Sequence, residues 1–187
     1  MPRLSAFALL ILLSGCAGVR PTAIILPQPR LAPVAMAMDV SLNQRLRFTR
    51  SDDTRETMVI DAQLDVDGNV LRLAGFALGR RVLMLVWDGA HLDEQRDRQW
   101  PEQVAATQIL RDIQYVYAPH EALQSALPED WRVDERGARR LLRFRDTTAI
   151  VIDYATMPRW HGAVRIDNRF EGYRLDIEST TADLDSE

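Results

Sequence analysis

Met58, Ile60, Ala62, Leu64 and Val66 alternate with Thr57, Asp61, Gln63 and Asp65, and only Val59 departs from the polar face. That two-residue period predicts a half-buried strand. Asp67-Gly68-Asn69 is a turn signal, so the run 70–73 after it predicts an antiparallel hairpin. Arg81-Val82-Leu83-Met84-Leu85-Val86-Trp87 is apolar at nearly every position, which predicts a strand covered on both faces and ended by the turn Asp88-Gly89. After Trp100 the period changes. Ala106, Ile109, Leu110, Ile113 and Tyr117 follow helical spacing, with Pro101 at a first-turn position and Glu102 complementing the helix N-terminus. Pro119 interrupts this helix, and Ala122, Leu123, Ala126 and Leu127 predict a second, short one that stops at Pro128. Strand patterns resume over 131–135, 139–145, 148–155, 162–168 and 172–178, separated by Arg136-Gly137, Met157-Pro158 and Glu171-Gly172. Strands, two short helices, then strands again predict one mainly β (α+β) domain over 39–180 with an acidic tail at 181–187.

The N-terminus carries a different pattern: Met1-Pro2-Arg3, an apolar run over 4–13, then Ser14-Gly15. This is the layout of a secretory signal over 1–15. Its apolar run is too short for a bilayer core, which needs about 20 helical residues. Leu13-Ser14-Gly15-Cys16 resembles the lipobox of bacterial lipoproteins, which implies cleavage before Cys16 and a diacylglyceryl thioether on its sulfur. Cys16 is the only cysteine, so neither a disulfide nor a thiolate metal site competes for it. By resemblance to enterobacterial lipoproteins, Ala17 in place of Asp implies the outer membrane, with the domain on its periplasmic face. Over 16–38, Pro21, Pro27, Pro29 and Pro33 predict an extended tether, although Ile24, Ile25 and Leu26 are apolar enough to dock on the domain.

The formal net charge of −4 gives no reason to expect a nucleic-acid partner. Arg139, Arg140, Arg143 and Arg145 are interleaved with Leu141, Leu142 and Phe144, which reads as the solvated face of a strand, with anionic lipid headgroups as the alternative partner. His91, His120 and His161 lie far apart without metal-ligand spacing, and no HExxH, GxSxG, GxGxxG or P-loop pattern occurs. Asp67 and Asp88 sit in turns, and Asp61, Asp65 and Asp176 on polar strand faces; Asp153, in an apolar stretch, reads as a hydrogen-bonded structural carboxylate. The expectation is a non-catalytic protein with no metal and no cofactor.

Three stretches carry a family resemblance: Gly79 to Gly89, Ile109-Leu110-Arg111-Asp112-Ile113-Gln114, and Asn168-Arg169-Phe170-Glu171-Gly172-Tyr173-Arg174-Leu175. With the lipobox and the element order, they make residues 40–178 resemble the LolA/LolB lipoprotein-carrier superfamily. The nearest resemblance is to LolB-like outer-membrane lipoproteins often encoded with aryl polyene biosynthesis genes, which Leu26-Pro27-Gln28-Pro29 also suits. The resemblance implies an incomplete antiparallel β-barrel with two short helices over an apolar cavity that holds acyl chains. It implies a membrane-contact loop at Gly75-Phe76-Ala77-Leu78-Gly79, with Leu78 at its tip and Phe76 assisting; an ordinary packed hairpin turn is the alternative. Leu83, Leu85, Trp87, Ile109, Ile113, Leu142 and Ile152 are the candidate cavity lining, taken from the pattern. The implied partners are an acyl chain or a lipidated or hydrophobic cargo, the outer membrane and a periplasmic carrier protein. Two other readings stay open: an interaction lipoprotein with a filled core, and a hydrolase or transferase of envelope lipids.

Overall fold

A computed structural model describes residues 24–52, 56–98, 100–101 and 104–182. The signal segment, Cys16, Glu102 and the end of the tail lie outside the described residues. Ten strands form one antiparallel sheet: β1 (Val40–Arg50), β2 (Thr57–Val66), β3 (Leu71–Ala77), β4 (Arg80–Trp87), β5 (Leu92–Arg96), β6 (Trp131–Arg136), β7 (Arg139–Phe144), β8 (Thr147–Tyr154), β9 (Gly162–Asn168) and β10 (Tyr173–Thr181). Between β5 and β6 come α1 (Ala106–Tyr117) and α2 (His120–Ala126). The order across the sheet is β5-β4-β3-β2-β1-β10-β9-β8-β7-β6, so β1 and β10 pair at its centre and β5 and β6 are its edges.

The sheet is strongly curved. Laid flat, ten strands at about 4.8 Å spacing would span about 43 Å. Yet α1 touches edge strand β5 and the next helix, α2, touches the opposite edge β6. The sheet therefore wraps round the helices without closing, the incomplete barrel that the family resemblance implied. Among the described residues no helix is long and apolar enough to cross a membrane.

The period-2 pattern decides which face looks inward. Ile60, Ala62, Leu64 and Val66 of β2 are buried, as are Leu71 and Leu73 of β3, Leu83, Leu85 and Trp87 of β4, and Val164 and Ile166 of β9. On the convex face, cross-strand register aligns Arg139, Asp153, Arg165, Asp176 and Arg47 in one row over β7, β8, β9, β10 and β1. Arg139 Nε donates to Asp153 at 2.5 Å and Arg165 Nε to Asp176 at 2.6 Å. Exposed pairs of this kind add little stability, but like charges opposite one another are avoided, which disfavours a slipped register. Asp153 is therefore a half-exposed member of an ion-pair row.

Two sequence expectations need correction. Strand β4 is not covered on both faces: Met84 and Val86 are only half-buried. Their convex-face neighbours are Ala74, Gln95, Arg72 and Asp93, whose side chains shield them in place of a second layer. Arg140 is not on a solvated strand face either. It is fully buried, as the next section describes.

Candidate functional site

Besides the apolar face it buries, α1 is fixed against the sheet by polar bonds at its C-terminus. The last turn of a helix leaves carbonyl oxygens without intrahelical partners. Here Arg140 Nη1 donates to Tyr115 O at 2.5 Å, Arg140 Nη2 to Ala118 O at 2.6 Å, and the Tyr154 hydroxyl to Val116 O at 2.7 Å. Glu135 balances the charge, accepting from Arg140 Nε at 2.8 Å and Arg159 Nη2 at 2.6 Å. Burial pushes the Glu135 carboxyl up, but Arg140 and Arg159 outweigh it and hold the carboxyl below its ordinary range.

The segment before β1 locks the same half of the helix. From Leu26 onward the expected tether is docked: Leu26, Met36 and Met38 are buried, with a 3-10 turn at Pro33–Met36. Gln114 brackets Leu31, accepting from its N–H at 3.2 Å and donating to its carbonyl at 3.1 Å. Trp87 Nε1 also donates to Leu31 O, at 2.7 Å, and the Tyr115 hydroxyl donates to Pro27 O at 2.6 Å. Gln114, Tyr115 and Val116 are buried with the rest of this turn, so α1 is covered nearly all round at its C-terminal end.

One face of α1, from Gln108 to Tyr117, covers a cavity. Its volume is about 170 Å³, and its walls come from β1 (Leu46, Phe48), β2 (Met58, Ile60, Ala62), β10 (Leu175, Ile177) and the helix side (Trp100, Ile109, Ile113). Exposure along β1 locates the mouth. Leu42 and Gln44 are buried, whereas Leu46 and Phe48 are half-exposed, so the inward face opens toward the β1 C-terminus. There the cavity shares Phe48, Arg50, Met58 and Val104 with a shallower depression that continues to Glu56 and Pro101. At the far end, buried Gln44 donates to the Tyr117 hydroxyl at 2.8 Å and to Ser179 Oγ at 2.9 Å.

One wall of the cavity is polar. Arg111 forms a bidentate pair with Glu171, Nη1 to Oε1 and Nη2 to Oε2, both 2.7 Å, and its Nε donates to Asp112 at 3.1 Å. The Tyr173 hydroxyl accepts from Arg111 Nη2 at 3.1 Å and donates to Asp112. Burial opposes the charge on Arg111, but Asp112 and Glu171 prevail and hold the guanidinium charged above its ordinary range. Burial pushes Asp112 up more than Arg111 pulls it down. One guanidinium serves two carboxyls, and Glu171 has the better geometry.

All four tyrosines, Tyr115 and Tyr117 on this helix and Tyr154 and Tyr173 on the sheet against it, are pushed up chiefly by burial, Tyr154 to about 12. A hydroxyl whose folded value is raised stabilises the fold fully below its unfolded value, near 10, and that contribution fades as pH climbs to the folded one. The expected result is that no tyrosinate absorbance develops near pH 10 while the fold persists. Ionisation and unfolding should coincide between about pH 10 and 12 in a paired absorbance and circular-dichroism titration. Stepwise ionisation of native protein near pH 10 would contradict the buried assignment.

Of the residues singled out from sequence, Leu83, Ile109 and Ile113 lie on the cavity wall. Leu85, Trp87, Leu142 and Ile152 are packed in the core outside it. The lining residues that sequence reasoning missed come chiefly from β1 and β10, above all Leu46, Phe48, Tyr173 and Ile177. Leu78 is 99% exposed at the tip of the β3–β4 hairpin, and Phe76 is half-buried beside a bulge after Gly75. The three histidines stay apart: His91 sits near Asp88, His120 lies 3.8 Å from Glu135, and His161 is exposed. Among the described residues no group of three His, Cys, Asp or Glu side chains is placed to hold a metal.

No curated protein matches the chain. Among solved structures, the crystal structure of a LolA superfamily protein from Nitrosomonas europaea is similar over 83% of this chain and 92% of that one, at 10% identity and a TM-score of 0.39. The family described as "Protein of unknown function (DUF3261)" matches residues 41–181. That span takes in the whole sheet except Val40, both helices and the cavity, and the chain belongs to the DUF3261 family.

Proposed function

We propose that this protein is a lipid-anchored, non-catalytic carrier or acceptor on the periplasmic face of the outer membrane, which takes up an acyl chain of a lipidated or hydrophobic molecule and helps insert it. The observation that carries this reading is the apolar cavity under α1. Side chains such as Leu46, Phe48, Ile60 and Ile177 offer acyl carbons burial without directional bonds, so cargo is chosen by size and apolar area. The lipobox at 13–16 supplies the anchor, and the exposed Leu78 tip supplies a place to touch the bilayer. An aryl polyene lipid, the setting implied by the sequence resemblance, is one cargo of this kind.

The cavity is smaller than the roughly 300–1,000 Å³ of typical ligand sites, so a long chain enters only if the lid lifts. Arg140 and the docked N-terminal segment clamp one end of α1. Toward the other end Arg111 is paired with Glu171, and ahead of the helix Trp100 Nε1 donates to Val104 O at 3.0 Å. In this reading the lid opens from the Val104 side, where the cavity has its mouth.

Ala62→Leu tests the reading, because three added carbons deep in the cavity displace cargo without disturbing the clamp. Affinity for an apolar fluorophore such as N-phenyl-naphthylamine should fall by about tenfold or more, with stability within about 1 kcal/mol of the parent. An unchanged affinity would move the ligand out of this cavity. If neither parent nor variant takes up the probe or any acyl compound, the interaction lipoprotein with a filled core is the better reading.

A further inference from the structure

The polar wall at the mouth is one-sided in its hydrogen bonding. Arg111 has five N–H donors, and four of its donor bonds are already made, one to Asp112, two to Glu171 and one to Tyr173. The Tyr173 hydroxyl proton goes to Asp112, and Asn168 Nδ2 donates to Glu171 at 3.2 Å. What the wall retains is acceptor capacity, because each carboxylate oxygen accepts more than one bond. Charge leans the same way, with two carboxyls against one guanidinium. Arg50, on the lip of the mouth, is ion-paired to Asp52 at 2.7 Å.

An apolar chain that brings a carboxylate to this wall meets like charge and a guanidinium with one N–H left unengaged. To take a bidentate hold on Arg111 it must displace Glu171. A chain that brings a hydroxyl or an amide N–H instead finds carboxylate oxygens able to accept. We propose that the cavity selects an apolar chain carrying an uncharged hydrogen-bond donor, a hydroxyl or an amide N–H, near its head, and discriminates against the same chain ending in a carboxylate. This selectivity rests on the acyl-binding reading above.

The test is displacement of N-phenyl-naphthylamine from the purified protein by 1-dodecanol, N-dodecylacetamide and dodecanoate, each below its aggregation threshold and at about pH 8, where the free acid is ionised. The alcohol and the amide should displace the probe at about tenfold lower concentration than the acid, the scale of one hydrogen bond to a charged acceptor. Glu171→Gln, which loosens the clamp on Arg111 and removes a negative charge, should narrow that ratio to near unity. Asp112→Asn is the second variant should Glu171→Gln fail to fold, and it too should narrow the ratio. Dodecanoate binding as tightly as the alcohol, or a ratio that neither variant moves, overturns the selectivity and leaves the acyl cavity standing. Failure of the probe and of all three chains to bind overturns the acyl-binding reading, and the selectivity falls with it.

Discussion

Arg140→Ala is expected to destabilise the domain by about 3–5 kcal/mol, the largest effect of any single substitution argued from this structure. The reason is what the guanidinium leaves behind. Its loss strands the carbonyl of Tyr115 in the interior, leaves that of Ala118 with only the 3.4 Å bond from Arg159 Nη1, and leaves Glu135 with Arg159 as its remaining close partner. An unsatisfied buried acceptor costs about 1–3 kcal/mol and a buried charge that loses a partner costs more. The pair is not a net gain on Coulomb grounds alone, since burial works against the charge on Arg140 and pulls its pKa below the ordinary arginine value. Its use is positional: it holds a helix C-terminus, the end that favours a cation, against β7. Arg140→Lys keeps the charge and loses the fork, so it should recover only part of the loss. Urea unfolding gives the magnitude, and hydrogen exchange at the amides of the last α1 turn shows whether that end is released. A loss under about 1 kcal/mol, or full recovery by lysine, would remove Arg140 as the clamp.

Much of the sheet was legible because its strands obey one rule. In β2, and again from β6 to β10, apolar residues recur along the inward face, β4 is an apolar run, and turn signals such as Asp67-Gly68 and Asp88-Gly89 punctuate the strands. Both helices were legible from spacing and proline. Strand β1 was not assigned, although it is the longest strand and pairs with β10 at the centre of the sheet. Gln44 interrupts its apolar stripe at the one inward position where a polar side chain has buried partners, Tyr117 and Ser179. Such partners are visible only after folding. Missing β1 also displaced the expected cavity: Leu85, Trp87, Leu142 and Ile152 have the composition of a lining, but they pack where α1 is clamped. The space lies between α1 and strands β1, β2 and β10. Arg140 was misplaced for a related reason, since composition cannot separate an arginine that faces water from one that caps a buried helix end. Docking of Ile24, Ile25 and Leu26 was an open alternative in the sequence; Leu26 is buried while Ile24 and Ile25 are exposed, and it is Leu31, through Trp87 and Gln114, that ties the segment to the domain.

Leu78→Asn is expected to move two quantities in opposite directions. Ala77 pairs with Arg80, so Leu78 and Gly79 form a two-residue loop, with φ of +50° and +74°. That is the backbone of a type I′ turn, which favours Asn, Asp or Gly at its first position. A leucine there is strained by crowding of Cβ, about 1 kcal/mol on the scale for left-handed residues, and it leaves its whole side chain in water. Neither feature helps the folded domain, so asparagine should leave stability unchanged or raise it by up to about 1 kcal/mol. If the tip enters a bilayer, the same substitution gives up burial of a leucine side chain, about 1.5–3 kcal/mol, or roughly tenfold to a hundredfold in partition. The measurement is binding to phosphatidylethanolamine–phosphatidylglycerol vesicles by the chain from residue 17 onward, with no lipid anchor to mask the contact, alongside urea unfolding of the same preparation. Leu78→Glu should weaken binding further, because a charge must also be desolvated. Unchanged vesicle binding in both variants would refute the membrane-contact reading, and a clear loss of stability in Leu78→Asn would favour an ordinary packed turn. The opposition matters because a residue kept for folding cannot produce it: unchanged or higher stability together with weaker vesicle binding would put the contact that compensates the strain outside the folded domain.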